Sequence, residues 1–174
     1  MPTTYELIAK NVLGSDTATV TFGSIPGTFD DLYFQLSIRG SNTSYNSGQT
    51  VDVELRPNGS TSNRSSRVLY AGGTTVGSLT YAAGIYPQMA PNSSSWTANT
   101  FTSGDLYIPN YSAATNKSMS GITVSENNNA SSGKIWAISG LWNDTSAITS
   151  FTFVSLVNSF LTGSSFYLYG IAKA

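Results

Sequence analysis

Apolar and polar residues alternate with a period of two along most of the chain. The alternation is clearest from Asp31 to Arg39, where every second residue is large and apolar. A period of two is typical of a β-strand with one buried and one solvated face. Together with segments rich in β-branched and aromatic residues, the pattern predicts nine or ten strands, near residues 5–10, 17–22, 31–39, 51–56, 67–71, 105–109, 118–125, 135–142, 148–154 and 165–172.

Helices are not expected anywhere in the chain. No segment of about twelve residues carries a helical apolar stripe that is free of Gly, Pro and dense Ser and Thr. The 174 residues are therefore predicted to be all-β and to fold as one single-domain β-sandwich over residues 1–174. A jelly roll fits better than an immunoglobulin-type sandwich, because the cysteine and tryptophan framework of the latter is missing.

Two dipeptides in the sequence predict turns between strands. The Pro26–Gly27 pair occupies the central positions of a predicted type II turn, in which the glycine adopts a positive φ. The Asn58–Gly59 pair favours a tight hairpin turn, in which both central residues have positive φ.

Residues 72–102 are predicted to form a long loop insertion in the sandwich. Pro87, Pro91 and a run of three serines interrupt this segment, and connections beyond about 12 to 15 residues are often functional. Apolar side chains in such a loop must pack beneath it or against a partner. From this loop and similar contexts we select six candidate interface or recognition residues: Tyr45, Tyr81, Tyr86, Met89, Trp96 and Tyr111.

Trp136 and Trp142 lie an even number of residues apart on one predicted strand, so both face the same side of it. A row of exposed aromatic rings would suit stacking on sugars. Side chains of this size, however, usually fill a sandwich core or a subunit contact. We therefore assign both tryptophans to the core or to a contact between subunits.

The composition excludes several classes of chemistry. The chain has no His and no Cys, which removes Ser-His-Asp and Cys-His mechanisms and the usual nitrogen and sulfur ligands of zinc, iron and copper. Charged residues make up 10% of the chain, the net charge is -1, and there is no basic run, so neither nucleic acid nor a membrane is expected as a partner. No cofactor, metal site or catalytic residue is predicted, and the protein is not expected to be an enzyme.

Two carboxylate pairs are the remaining candidates for chemistry. Asp52 and Glu54 lie on one side of a predicted strand, about 7 Å apart, near the spacing of glycosidase acid and base groups. Arg56 shares that side, so a solvated polar face is the preferred interpretation and a carboxylate-based glycosidase the remote alternative. Asp30 and Asp31 follow a turn, where capping of backbone N–H groups is preferred to a calcium site.

Three stretches resemble a broad group of small virion proteins of tailed bacteriophages. They are Val20–Leu32, Gly140–Ile148 and Ser165–Ile171, which are turn and strand signatures. The resemblance spans nearly the whole chain and is weakest over residues 72–102. It implies a β-sandwich capsid decoration or cement protein, typically a homotrimer, that lies on the outer capsid surface of the virion and binds the major capsid protein.

Assembly in the cytoplasm of a bacterial host is expected, because a chain without cysteine suits a reducing compartment. The absence of a signal-peptide pattern and of an apolar run of about 20 residues favours the same compartment. Other phage proteins with similar sandwiches form tail-fibre tips or host-attachment modules, so a glycan-binding module is the alternative function. That alternative predicts an exposed aromatic platform flanked by Asn, Asp or Gln.

Overall fold

Eleven β-strands make up the regular structure of the described residues, and none of these residues is helical. The computed structural model describes residues 4–41, 53–87, 97–126, 133–156 and 159–172. Within these ranges there is no helix with the length and apolar character needed to span a membrane. The strands are β1 (Tyr5–Val12), β2 (Thr19–Phe22), β3 (Asp31–Ile38), β4 (Val53–Pro57), β5 (Arg64–Gly72), β6 (Thr75–Tyr81), β7 (Thr102–Ile108), β8 (Lys117–Ser125), β9 (Lys134–Trp142), β10 (Phe151–Ser155) and β11 (Ser165–Ile171).

The strands form two antiparallel sheets in a sandwich. The large sheet has the order β1-β11-β3-β7-β8-β9-β5-β6, and the small sheet has the order β2-β10-β4. Part of the pairing is nested along the chain: β1 pairs with β11, β2 with β10, β3 with β7, and β4 with the segment at Ile85. A long antiparallel hairpin rolled into two sheets produces this nesting, which is the jelly-roll topology. The predicted all-β sandwich is confirmed.

Two further hairpins widen the large sheet beyond the jelly roll. The β5–β6 hairpin is inserted between β4 and Ile85, and the β8–β9 hairpin between β7 and β10. The two insertions pair with each other through β5 and β9, over the residues from Arg64 to Ala71. The large sheet therefore has eight strands and the small sheet three.

Phenylalanines fill the space between the two sheets. The ring centroid of Phe34 in the large sheet lies 5.6 Å from that of Phe22, 4.8 Å from that of Phe151 and 5.2 Å from that of Phe153, all in the small sheet. All four side chains are buried. Burial of a side chain of this size contributes about 1.5–3 kcal/mol, so this cluster is a main stabilising contact between the sheets.

Trp136 and Trp142 extend the core beneath β9, so of the two predicted locations, the core or a contact between subunits, the structure shows the core. The segment around Ile85 packs directly against the same face of β9. A Cβ added at Gly140 would lie 2.8 Å from the side chain of Ile85. A glycine at this position therefore allows the strand and the segment to approach closely.

Residues 75–81 form β6, so the prediction of a loop throughout residues 72–102 is wrong there. β6 pairs with β5 through a two-residue hairpin turn in which Gly73 has a φ of 57°. The strand escapes detection in the sequence because its two aliphatic residues lie three positions apart, which is not a strand-like alternation. Eleven strands are thus observed where nine or ten were predicted. Residues 88–96 of the predicted loop lie outside the described residues.

The two predicted turns have different outcomes. Gly27 does not have a positive φ, so the predicted type II turn is wrong. Asn58 and Gly59 have φ values of 48° and 67°, as the predicted tight turn requires. This turn leads from β4 in the small sheet to β5 in the large sheet, so it joins the two sheets instead of closing a hairpin.

Candidate functional site

The side of the large sheet that faces away from the core forms a broad surface. On β3, every second residue from Leu32 to Ile38 is buried, and the residues between them point outward. Residues opposite each other in an antiparallel pair share a face, so the register extends this outer face across all eight strands. Seven inter-strand spacings of about 4.8 Å make it about 34 Å wide.

Five tyrosines lie in one half of the outer face, on β1, β3, β7 and β11. Tyr33 is opposite Tyr107 on one side and Tyr169 on the other. Its ring centroid lies 6.1 Å from that of Tyr5, edge to face, and 6.5 Å from that of Tyr169. Such arrangements are favourable between aromatic rings. We refer to Tyr5, Tyr33, Tyr107, Tyr167 and Tyr169 as the tyrosine face.

Carboxylate and amide side chains accompany the tyrosine face. Asp31 accepts a hydrogen bond of 2.7 Å from the hydroxyl of Tyr107. The exposed Gln35 lies between Tyr167 and Asp105 in the strand register. The face therefore has aromatic rings next to hydrogen-bonding groups, as the glycan-binding alternative predicts. Tyr5 is the exposed ring among the five, and the other four tyrosines are partly buried.

Two phenols of the tyrosine face have a pKa above the ordinary value of 10.0. Burial raises the pKa of Tyr33, and the charge of Asp105 raises it further. For Tyr107, the hydrogen bond to the Asp31 carboxylate is the main cause of the raised pKa, and burial adds to it. Both hydroxyls are therefore neutral hydrogen-bonding groups at physiological pH.

Aliphatic side chains occupy the other half of the outer face, on β5, β6, β8 and β9. Five large ones are between 44% and 74% exposed, and we refer to them as the aliphatic face: Leu69, Val76, Ile122, Val124 and Ile135. The register arranges them, with two alanines, in the cross-strand rows Val76-Ala71-Ile135-Val124 and Leu69-Ala137-Ile122. Clustered exposure of this kind is characteristic of interaction surfaces, whereas isolated exposed apolar residues are common on any protein.

Tyr111 lies in the core, so its predicted place among the surface recognition residues is wrong. The residue is fully buried, and its hydroxyl donates to the backbone oxygen of Pro26. The backbone N–H of Phe29 donates to the same hydroxyl over 3.4 Å, and burial raises the pKa of the phenol. Tyr111 ties the segment after β7 to the segment before β3, which shows that a loop position does not imply an exposed side chain.

Tyr81 and Tyr86 pack against each other at the end of β6, with ring centroids 5.0 Å apart in an edge-to-face arrangement. Both are partly buried. The hydroxyl of Ser66 donates to the backbone oxygen of Gly84 and accepts from the backbone N–H of Tyr86, each over 3.1 Å. These contacts anchor the segment after β6 to β5, and the interface role of the two tyrosines stays a prediction.

Four residues of the predicted sites lie outside the described residues. They are Tyr45, Met89 and Trp96 of the candidate interface, and Asp52 of the carboxylate pair. The interface role of the first three stays a prediction.

Glu54, the other member of the carboxylate pair, forms ion pairs of 2.6 Å with both Arg56 and Arg64. The face shared with Arg56 is confirmed, but the predicted solvation is wrong, because Glu54 is 4% exposed. Burial alone would raise the pKa of Glu54, but the hydrogen bonds and charges of the two arginines lower it overall. A glycosidase general acid needs a raised pKa instead, so the surroundings of Glu54 suit a structural ion pair.

Asp31 caps the turn that follows β7. Besides the Tyr107 hydroxyl, it accepts a hydrogen bond of 2.8 Å from the backbone N–H of Asn110. Asp31 thus caps a backbone N–H group, as preferred, but in a turn distant in sequence and not in the Pro26–Gly27 turn that precedes it. Within the part of the chain that the structure describes, no three carboxylates cluster in a way that could hold a metal ion.

Lys117 is a fully buried cation that the sequence did not single out. Its Nζ donates to the backbone oxygen of Ala113 over 2.7 Å and to that of Thr115. Burial lowers the pKa of the ammonium, while the charge of Asp144 acts in the opposite direction. Lys117 organises the connection between β7 and β8, which is a structural role.

Neither the tyrosine face nor the aliphatic face was recognised from the sequence. The sequence does contain a signal for them, which is a large apolar or aromatic residue among the polar residues on the outward side of an alternating strand. Tyr33, between Asp31 and Gln35, is the clearest example. The signal does not reveal which strands are neighbours, so the clustering of such residues appears only in the folded sheet.

Comparisons with known proteins give no relative from which a role for these faces can be taken. No family model matches the chain, and no curated protein is significantly similar to it.

Proposed function

We propose that this protein is a non-enzymatic structural protein of a phage virion, which decorates the capsid by binding the lattice of the major capsid protein through its aliphatic face. The observation that carries the proposal is the exposure of five large aliphatic side chains in two rows on one sheet face. Contiguous exposed patches of this kind mark protein interaction sites. The assignment to phage virions comes from the sequence resemblance of Val20–Leu32, Gly140–Ile148 and Ser165–Ile171.

Burial of the aliphatic face supplies the binding free energy in this proposal. Apolar surface removed from water contributes about 25 cal/mol per Å² before the costs of association are subtracted. Only 10% of the residues are charged, so ion pairs contribute little. We therefore expect binding to depend weakly on salt concentration.

Binding to the assembled lattice alone is sufficient to stabilise the capsid. A ligand that binds one state of an equilibrium and not the other shifts the equilibrium toward the bound state. Because a capsid offers many copies of the same site, a modest affinity at each site adds up to a large effect. The protein in this proposal lies on the outer capsid surface and is assembled in the cytoplasm of the bacterial host.

Co-sedimentation with empty phage shells tests the proposal. Leu69→Asp and Ile135→Asp each place a charge in the aliphatic face, and we expect each to weaken binding at least about tenfold, because the interface would bury an unpaired carboxylate. Thr19→Asp introduces the same charge at an exposed position of the small sheet and is the matched control. A parent protein that does not bind shells, or three variants that bind equally, would contradict the proposal. Immunogold labelling of the tail instead of the head would contradict the capsid location.

The tyrosine face is a specific observation in favour of the glycan-binding alternative. Aromatic rings pack against the C–H face of a sugar, and carboxylate and amide groups exchange hydrogen bonds with its hydroxyls. Asp31, Gln35 and Asp105 provide such groups beside the rings. With this function the protein would belong to a tail fibre or a host-attachment module.

A glycan array tests the alternative. Tyr33→Ala and Tyr169→Ala each remove a ring from the tyrosine face and are expected to abolish binding, while Leu69→Asp serves as the control because it alters the other half of the same sheet face. If the parent protein binds no glycan, the alternative is rejected.

A further inference from the structure

Three of the four sheet edges in the described part of the chain are protected against pairing with another strand. A free edge presents unpaired N–H and C=O groups, and natural proteins block such edges with charges, bulges, short strands, prolines or covering segments. At one edge of the large sheet, β1 carries Glu6 and Lys10 and has a register shift between Leu7 and Ala9. At one edge of the small sheet, β2 has only four residues.

The edge strand β4 is protected in a different way. It ends at Pro57, and Leu55 forms a bridge with Ile85, whose backbone oxygen accepts from the N–H of Leu55 over 2.9 Å. The guanidinium of Arg64 donates to the backbone oxygen of Leu55, also over 2.9 Å. Both hydrogen-bonding groups of this residue are thus occupied.

β6, the remaining edge of the large sheet, has none of these protections. Its seven residues include no charge and no proline, and its pairing with β5 runs without a register shift from Ser66–Tyr81 to Gly72–Thr75. Val76 is 74% exposed, the highest value among the large hydrophobic residues that the structure describes. No other described strand pairs with the outer side of β6.

The hairpin geometry identifies the backbone groups that point away from the sheet. In a two-residue hairpin the closing pair, here Gly72 and Thr75, exchanges both hydrogen bonds, and hydrogen-bonded pairs then alternate along the strands. Residues 77 and 79 therefore bond to β5 as well. The N–H and C=O groups of Val76, Ser78 and Thr80 point outward.

We propose that β6 pairs antiparallel with β6 of a second copy of the chain, about a two-fold axis that passes through Ser78. In this register Ser78 lies opposite Ser78 of the partner subunit, and Val76 lies opposite Thr80 of the partner subunit. The outward groups of all three positions then match in hydrogen-bonded pairs. The facing side chains are small or β-branched and uncharged, which favours cross-strand packing.

The pairing joins two eight-stranded sheets into one continuous sheet. Because the side chain of Val76 is on the outer face, it also brings the aliphatic faces of the two copies side by side. An interface in which one strand meets itself is isologous and closes as a dimer. The edge therefore favours a dimer over the homotrimer that the sequence resemblance implies.

Sedimentation of the full chain at micromolar concentrations tests the inference. The parent protein is expected to be a dimer. Ser78→Lys and Ser78→Asp each place like charges opposite each other on the axis and are expected to weaken dimerisation at least about tenfold. An equimolar mixture of the two variants places Lys opposite Asp and is expected to restore the dimer, while Thr19→Lys, on the edge strand β2, is the control and stays dimeric.

A second measurement avoids substitutions altogether. In the dimer, the outward amides of Val76, Ser78 and Thr80 are expected to exchange with solvent more slowly as protein concentration rises. A parent protein that sediments as a monomer or a trimer overturns the inference, as does a concentration-independent exchange of these amides or a dimer that persists in Ser78→Lys alone. A monomer that still binds phage shells overturns this inference and leaves the proposed function standing. A dimer that does not bind phage shells contradicts the proposed function and leaves this inference standing.

Discussion

The outer faces of the two sheets differ in chemistry, although both sheets cover the same core. On the small sheet, the outward residues Thr19 and Thr21 of β2 are exposed, and the hydroxyl of Thr21 lies 3.0 Å from that of Thr152 on β10. On the large sheet, the corresponding positions carry the tyrosine face and the aliphatic face. Inward positions are packed in both sheets. Glu54 of β4, which the register places opposite Val154 in an outward row of the small sheet, is an outward residue that is also buried, by its ion pairs with two arginines. Under the proposed function, the difference in chemistry reflects a partner that covers the aliphatic face of the large sheet.

The largest expected loss of stability distinguishes an inward position of β3 from the outward position beside it. Phe34→Ala removes a ring that contacts three others in the core, and we expect it to cost about 3–5 kcal/mol in the free energy of unfolding. Tyr33→Ala, at the neighbouring outward position, is the matched control and should cost clearly less. Urea unfolding of both variants measures the difference. Equal losses would mean that the tyrosine face is part of the core and not a free surface.

The ion pairs of Glu54 are expected to have the next largest effect. Arg64→Met leaves a buried carboxylate with one arginine instead of two, and removal of one partner from a buried pair typically costs about 3–5 kcal/mol. In Arg56→Met the lost side chain is 31% exposed, against 1% for Arg64, so the loss should be smaller. Urea unfolding of the two variants measures the losses. Equal losses in the free energy of unfolding would contradict the prediction.

Acid should weaken the same ion pairs. The pKa of Glu54 in the folded protein lies below its ordinary value of 4.5, so its contribution is fully present above that value and is lost as the pH falls through the lowered pKa. Urea unfolding of the parent and of Glu54→Gln, followed from neutral pH into the acid range, should show a stability difference that narrows below pH 4.5. A constant difference would show that the carboxylate charge is not responsible.

Alkaline pH is expected to lower the stability of the protein through the tyrosine face and to leave the threonine hydroxyls on the outer side of the small sheet unaffected. The pKa of Tyr33 and Tyr107 is raised in the folded protein. Their contribution to stability is therefore present below the ordinary value of 10.0 and is lost as the pH rises through the raised pKa. Tyr107→Phe should reduce this alkaline loss, and absorbance of the phenolate checks the titration. A variant that loses stability as steeply as the parent would argue against Tyr107.

The smallest change in stability is expected when an aliphatic side chain of the large sheet and a hydroxylated side chain of the small sheet are each replaced by the other type. Leu69→Thr on the large sheet and Thr21→Val on the small sheet should each change the free energy of unfolding by no more than about 0.5 kcal/mol, because neither position is in the core. Binding of a hydrophobic dye should fall for Leu69→Thr and not for Thr21→Val. Thermal unfolding and dye fluorescence measure the two quantities. A large loss of stability in Leu69→Thr would show that the aliphatic face stabilises the isolated chain.

The sequence predicts the strands that alternate regularly, and it also predicts which of their residues face the core. In β3, every second residue from Leu32 to Ile38 faces the core, as the pattern requires. The same reasoning places Trp136 and Trp142 on one side of their strand, and both are buried. A period of two is a local property of an extended chain, and the burial of apolar side chains selects the face that points inward.

The errors occurred where long-range contacts decide the outcome. The residues of β6 lack alternation and therefore predict a loop, yet pairing with β5 makes them a strand. Tyr111 lies in a connection, which predicts an exposed side chain, yet the segment before β3 covers it. In both cases the missing information was the identity of the neighbour in space, which intrinsic preferences and periodicity do not contain.

The sequence by itself determined the all-β class, the sides of most strands and the available side-chain chemistry, which lacks His and Cys. Tertiary structure alone decided which strands are neighbours. It brought Tyr5 near the start of the chain beside Tyr33, and Tyr33 beside Tyr169 near the end. It also placed Leu69 and Ile122 in one row, on either side of Ala137. The physical reason is that alternation is encoded within each strand, whereas strand order depends on the combined free energy of pairings between distant segments.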